Sequence, residues 1–182
     1  MDWQSPQNIP SKQFLCGHCG NRVASSHGYR STDGSNSVHI CPHCTKPTYF
    51  PPGGQLPGVA PGNEVSHLPK DIEALYREAR NSVAAGCYTA AILACRKLLM
   101  NIAVAQNAKP GDSFVSYVEY LAAQGYVPPN GKGWVDHIRK KGNEATHEIV
   151  LMSQADAQEL ISFAEMLLKF IYEFPNKVPQ QQ

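Results

Sequence analysis

The sequence predicts a mainly α protein, a helical bundle with a small β module at its N-terminus. Three observations carry this. From residue 70 onward, apolar residues recur at helical spacing through about five segments. Before residue 46 there is little apolar periodicity, and four of the six cysteines stand there as two CxxC pairs. Between the two zones, residues 47–69 hold six prolines and four glycines in 23 positions, a density that excludes a helix or a central strand. The chain therefore divides into a metal-binding module at 1–46, a Pro/Gly-rich linker at 47–69, a helical bundle at 70–175 and a flexible polar tail at 176–182.

The N-terminal module is read from its cysteines. Cys16-Gly17-His18-Cys19-Gly20 and Cys41-Pro42-His43-Cys44 leave 21 residues between Cys19 and Cys41. A CxxC turn brings two sulfurs together without strain, and two such turns complete a tetrahedral thiolate shell, which suits Zn²⁺. The interval fits a short hairpin or three-stranded ribbon, with strands near 23–26 and 37–40 and a connection at Thr32-Asp33-Gly34. This pattern resembles a zinc ribbon, with Cys16, Cys19, Cys41 and Cys44 holding one structural zinc per chain. Four cysteine ligands make a closed site rather than a catalytic one with an open position. His18 and His43 lie inside the turns as competing ligands or, in preference, as exposed or supporting groups. A pair of redox dithiols is the alternative. Gly20 follows the first pair, whereas Thr45 stands at the matching place after the second.

The helical segments follow in order. The first, about 70–85, starts after Pro69 and aligns Ile72, Leu75, Tyr76, Ala79 and Val83. The second, about 87–107, carries a wide apolar face of Ala91, Ile92, Cys95, Leu98, Leu99 and Ile102. Asp112 or Ser113 caps the third, whose stripe is Phe114, Tyr117, Val118 and Leu121, with Gly125 at its end. Pro128-Pro129-Asn130-Gly131 is a turn. The fourth covers about 133–148. The fifth, about 154–174, aligns Leu160, Phe163, Ala164, Leu167, Leu168, Ile171 and Phe174, and Pro175 is expected to stop it. Cys87 and Cys95 read as small core residues, and Tyr117, Tyr120 and Trp134 as core aromatics rather than base-stacking platforms.

Composition limits the function classes. Hydrophobic residues make up 42% of the 182, enough for a core. Sixteen basic groups against 15 acidic ones give +1, which argues against a polycationic nucleic-acid binder. No apolar stretch reaches the length expected of a membrane span. The opening residues MDWQSPQNIP show no charged and apolar leader, so the expectation is a cytoplasmic protein.

The fourth segment holds the one catalytic candidate. Arg139, Asn143 and His147 are spaced i, i+4, i+8 and share a helix face. An imidazole could move a proton near neutral pH, a guanidinium could stabilise phosphoryl charge, and an amide could orient the group. The same residues also admit a structural role: Arg139 pairing with Glu73 or Glu78, Asn143 satisfying backbone beside Gly142, and His147 bonding at a helix end. Arg96, beside the buried face of the second segment, is read either as a phosphate ligand or as a packed stem whose head pairs with a carboxylate.

Three stretches resemble a prokaryotic family, domain of unknown function 4145. They are Leu68-Pro69 leading to Tyr76-x-x-Ala79, then Tyr88-Thr89-Ala90-Ala91 through Arg96 to Leu98-Leu99, and Ile138-Arg139-x-x-Gly142-Asn143-x-x-x-His147. The resemblance covers about residues 66–174. It implies an HEPN-like helical bundle, a homodimer, and company in toxin–antitoxin, phage-defence and CRISPR systems. Catalytic HEPN proteins cut RNA without metal, using an Arg and a His closer in sequence than Arg139 and His147 are here. Lys141 stands nearer to His147, but an ammonium does not reproduce a guanidinium fork. The resulting expectation is a non-catalytic accessory module of a nucleic-acid-directed or defence assembly. Its bundle would pair with a second copy, and its ribbon would contact a nucleic acid or a protein partner. The alternatives are a metal-independent endoribonuclease acting through Arg139, Asn143 and His147, and a protein–protein adaptor without nucleic-acid contact.

Overall fold

The computed structural model describes residues 3–127, 133, 136, 138, 140 and 151–177. They divide into two compact units, one of Met1–Ala60 with Ala84–Gly86 and one of Pro61–Val83 with Cys87–Gln182.

The first unit is built on a four-stranded antiparallel sheet: β1 (Gln7–Leu15), β2 (Arg22–Arg30), β3 (Ser37–Ile40) and β4 (Pro47–Phe50), in that spatial order. Strands β2 and β3 lie where the sequence places them, and the turn between them includes Thr32-Asp33-Gly34. The outer two are additions. β1 hides its period because the register shifts between Asn8 and Lys12, leaving only Ile9 and Phe14 buried along it. β4 occupies the first residues of the stretch expected to be a tether. Pro47 is tolerated because it opens an edge strand, where its missing N–H breaks no ladder. The chain then doubles back, and Tyr49 and Leu56 exchange backbone hydrogen bonds of 2.8 Å each. The core of the unit is Phe14, Phe50, Cys16 and Cys41, with Val23, Cys19 and Cys44 packed against it.

In the second unit, α1 (Lys70–Ala84), α2 (Tyr88–Ala105), α3 (Phe114–Ala123) and α4 (Gln154–Leu168) match four of the five segments. Gly133, Asp136, Ile138 and Lys140, in the remaining segment at about 133–148, are helical. α2 packs against α3 and α4 and contributes Ala91, Ile92, Cys95, Leu98, Leu99, Ile102 and Ala103 to the core. By length and composition it also matches a membrane span, with mean hydropathy 1.3 over 18 residues, which corrects the expectation that no stretch would. Its apolar character serves a helix packed on several sides. Ser113 caps α3 by accepting from the Ser116 N–H. Ser153 and Asp156 close α4 with a reciprocal capping box.

Pro175 does not end the last helix. A π-helical turn at Lys169–Glu173 follows α4, and a short helical turn, Phe174–Lys177, takes in Pro175. The Phe174 N–H bonds back to the Lys169 carbonyl, a wider ladder that accommodates a residue with no N–H to give. Asn176 and Lys177 are therefore helical rather than the start of a tail.

Residues 61–68 are also more than a tether. Both the Asn63 backbone N–H and its side-chain amide donate to Glu165, at 3.0 and 2.9 Å. The Ser66 N–H donates to Glu173 at 3.0 Å, and Arg80 donates to the carbonyls of Pro61 and Gly62. Val65 joins the helical core. Although burial works to raise its pKa, the bonds from Lys169 and Asn63 hold the Glu165 carboxyl below its usual range. A depressed carboxylate stabilises the fold above its unfolded pKa, and that contribution is lost as pH falls through the folded value. Glu165→Gln is therefore expected to shrink the loss of stability between neutral and acid pH, read as urea midpoints across that range.

Candidate metal centre

The two CxxC turns are the tips of the β1–β2 and β3–β4 hairpins. Because consecutive strands alternate in direction, both tips emerge at the same end of the sheet. The local structures repeat each other. Gly20 N–H donates to Cys16 O at 2.8 Å, and Thr45 N–H donates to Cys41 O at 2.9 Å. Cys16 N–H donates to Asn21 O at 2.9 Å, and Cys41 N–H donates to Lys46 O at 3.0 Å. Each hairpin thus closes over its own cysteine pair by the same backbone bonds.

The four sulfurs converge. All lie within 4.8 Å of one another, with Cys16 Sγ 3.8 Å from Cys44 Sγ and Cys19 Sγ 3.9 Å from Cys41 Sγ. A tetrahedral ion bonded to thiolates at about 2.3 Å needs sulfur–sulfur edges of about 3.8 Å, so the four residues fit such an ion. Cys16 and Cys41 are fully buried, and Cys19 and Cys44 are partly exposed at the rim. Backbone N–H groups already point at the sulfurs: His18 and Cys19 toward Cys16, Asn21 toward Cys19, and Lys46 toward Cys44. Donors of this kind favour the thiolate form that metal binding requires.

The histidines inside the turns face elsewhere. His18 Nε2 lies 2.9 Å from the Pro47 carbonyl, and the Asn21 amide reaches His43 Nδ1 at 3.1 Å. Both are exposed, and the cluster consists of the four cysteines.

The turns differ in one physical respect. Gly20 has φ +69°, and Thr45 adopts φ +58° at the matching position. Left-handed backbone costs a side-chain-bearing residue about 1–2 kcal/mol and glycine nothing steric. Thr45→Gly is expected to raise the stability of the metal-loaded unit by up to about 1 kcal/mol, after glycine's own entropic cost. Gly20→Ala should lower it by about 1 kcal/mol, since a Cβ there meets no neighbour and only the backbone conformation is penalised. Thermal melts of the two variants check both signs.

The sequence-derived catalytic candidates Arg139, Asn143 and His147 lie outside the described residues, as does Trp134. Arg96 is among the described residues, and its head group meets an aromatic ring. Its guanidinium stacks over the Phe114 ring, 4.2 Å from the centroid, and its buried Nη1 has no hydrogen-bond partner. Burial lowers its pKa. Cys95 is buried and its thiol is pushed up to about 12, whereas Cys87 is exposed ahead of α2 rather than in the core. Tyr117 is buried, with its hydroxyl accepting from the Asp112 N–H, and Tyr120 donates to the Gln106 carbonyl. Both serve packing. Reasoning from sequence missed Glu165 and Glu173 as anchors, because their partners lie 102 and 107 residues away and leave no local pattern.

A family model described as Domain of unknown function (DUF4145) matches residues 77–182. No curated protein and no solved structure matches the chain.

Proposed function

The chain belongs to the DUF4145 family, and we propose that it is a non-catalytic binding module of a nucleic-acid-directed or phage-defence assembly in the cytoplasm. The N-terminal unit is a zinc ribbon, with one zinc ion held by Cys16, Cys19, Cys41 and Cys44. The ion supplies a closed thiolate centre that fixes the two hairpins, and the sheet it organises presents the recognition surface. The helical unit is an HEPN-like bundle that pairs two copies of the chain.

The observation that carries this reading is the sulfur tetrahedron. Four thiolates at these separations fill every position of a tetrahedral ion and leave none for substrate or water. Zinc is favoured over other divalent ions by an all-sulfur set and a tetrahedral shape. Self-association is supported by Phe170 and Phe174. They meet edge to face at 5.3 Å, remain 48% and 42% exposed, and line a groove with Met166 and Ser162.

Light scattering on the zinc-loaded protein tests the stoichiometry. A mass of twice 19.9 kDa is expected, and a monomer at all concentrations would overturn the pairing. An RNA incubation tests the non-catalytic part. Cleavage that survives chelation and is lost in both Arg139→Ala and His147→Ala would replace this reading with a metal-independent endoribonuclease.

A further inference from the structure

The sheet of the N-terminal unit carries a cleft of about 370 Å³ on one face. Strand register explains what lines it. Lys12 and Phe14 point to the same side of β1. The cross-strand pairs Arg30↔Ser37, Gly28↔His39 and Ser37↔Phe50 put Arg30, Ser37, His39 and Phe50 on one side of the sheet, and the ring contacts of Phe14 with His39 and Phe50 bring β1 to that side. Phe14, His39 and Phe50 form a packed aromatic floor, with ring centroids 5.1 to 6.1 Å apart. Lys12 Nζ lies over Phe50, 4.6 Å from the ring centroid. Pro51 and Pro52 make one rim and the irregular part of β1 the other.

The charge in this cleft is unbalanced. Among the described residues no carboxylate pairs with Lys12 or Arg30. The described acidic side chain of residues 3–60 is Asp33, whose oxygens accept from the Ser31 and Ser35 hydroxyls and the Ser35 N–H. His39 Nδ1 donates to the Ser25 carbonyl, 2.9 Å away, which fixes its ring in the floor. Arg30 is pre-positioned: Nε and Nη2 donate to the Gly34 carbonyl at 3.4 and 3.2 Å, leaving its other N–H groups to face a ligand. Gly34 makes this possible, since a Cβ there would stand 2.7 Å from Arg30 Nη2.

We propose that this cleft binds the phosphodiester backbone of a single-stranded nucleic acid, with Lys12 and Arg30 taking phosphate oxygens. The inference rests on the binding-module reading and names its ligand. Fixed donors, serine hydroxyls and an aromatic floor match a sugar–phosphate strand. A recess of this volume admits a nucleotide but not a duplex, which would ride across its rims.

The test is fluorescence anisotropy of labelled oligonucleotides of about 12 nucleotides, a length within known single-strand site sizes. The titrant is the zinc-loaded chain of 182 residues across a KCl series. The RNA and DNA arms identify the source of the strand, and a duplex arm tests the shape argument. Lys12→Gln with Arg30→Gln should weaken single-strand binding by about tenfold or more near 0.1 M salt, and should reduce the log–log salt slope by about 1.4 for two lost phosphate contacts. Arg22→Gln with Lys46→Gln removes the same charge beside the cysteine turns and should cost less than about threefold. Gly34→Ala keeps both charges but displaces the guanidinium, and should fall between. Equal losses in the two double variants, or no strand binding by wild type, would overturn the inference. Either result leaves the wider reading standing, because that is decided separately by metal content, mass and the RNA incubation.

Discussion

With zinc held by the four cysteines as proposed, its removal is expected to unfold the N-terminal unit while the helical unit stays folded. The reason lies in what is buried. The core of the sheet unit is Phe14 and Phe50 together with the cysteines themselves and Val23. Burying a phenylalanine contributes roughly 1.5–3 kcal/mol, whereas structural zinc in small sites is worth roughly 10–16 kcal/mol at neutral pH. The metal term dominates, as it does in units too small to build an adequate apolar core. A strong chelator, or Cys41→Ser, should collapse the dispersed amide resonances of residues 3–60. Cys41 is the sharper choice because it is fully buried, so an unligated hydroxyl there is also desolvated. The far-ultraviolet helix signal should persist, and one equivalent of zinc should restore the chelated wild type but not the variant. An unchanged amide spectrum after complete metal removal would contradict this.

Phe163→Ala is expected to cost the helical unit about 3–5 kcal/mol. Phe163 lies midway along α4, is fully buried, and is among the largest fully buried side chains. Deleting its ring removes the transfer free energy and leaves a cavity that a packed interior closes only in part. The expected loss is a large share of the roughly 5–15 kcal/mol typical of a whole domain. Phe174→Ala serves as the comparison. It is 42% exposed, and its loss in an isolated chain should stay below about 1 kcal/mol. Urea unfolding followed at the helix band separates the two, and equal midpoints would contradict the placement of the core.

The helical unit is legible in the sequence because its signals are local. Pro69 precedes α1, Ser113 caps α3, and Gly125 follows its last turn, each acting within a few residues. The apolar stripes of α2 and α4 repeat long enough for their period to be read. The cysteine cluster is legible for a different reason: paired spacing in sequence becomes paired hairpin tips in space. β1 is not legible, because its bulge shifts the alternation partway along and most of its side chains face water. β4 is not legible because Pro47 and the prolines after it disguise a short edge strand. The anchoring of residues 63–66 to Glu165 and Glu173 depends on contacts across more than a hundred residues, which no window of sequence contains. The Lys12–Arg30 cleft is hidden in the same way, since it appears only once strand register sets four strands side by side.

The direct test of the central claim is X-ray absorption at the zinc edge on protein purified without added metal, together with a metal count. One zinc per chain, with a shell of four sulfurs at about 2.3 Å and no nitrogen or oxygen, is the result predicted by the convergence of Cys16, Cys19, Cys41 and Cys44. A shell containing a histidine nitrogen or a water oxygen would contradict a closed structural site. Well under one zinc per chain in folded protein would remove the metal from the account altogether.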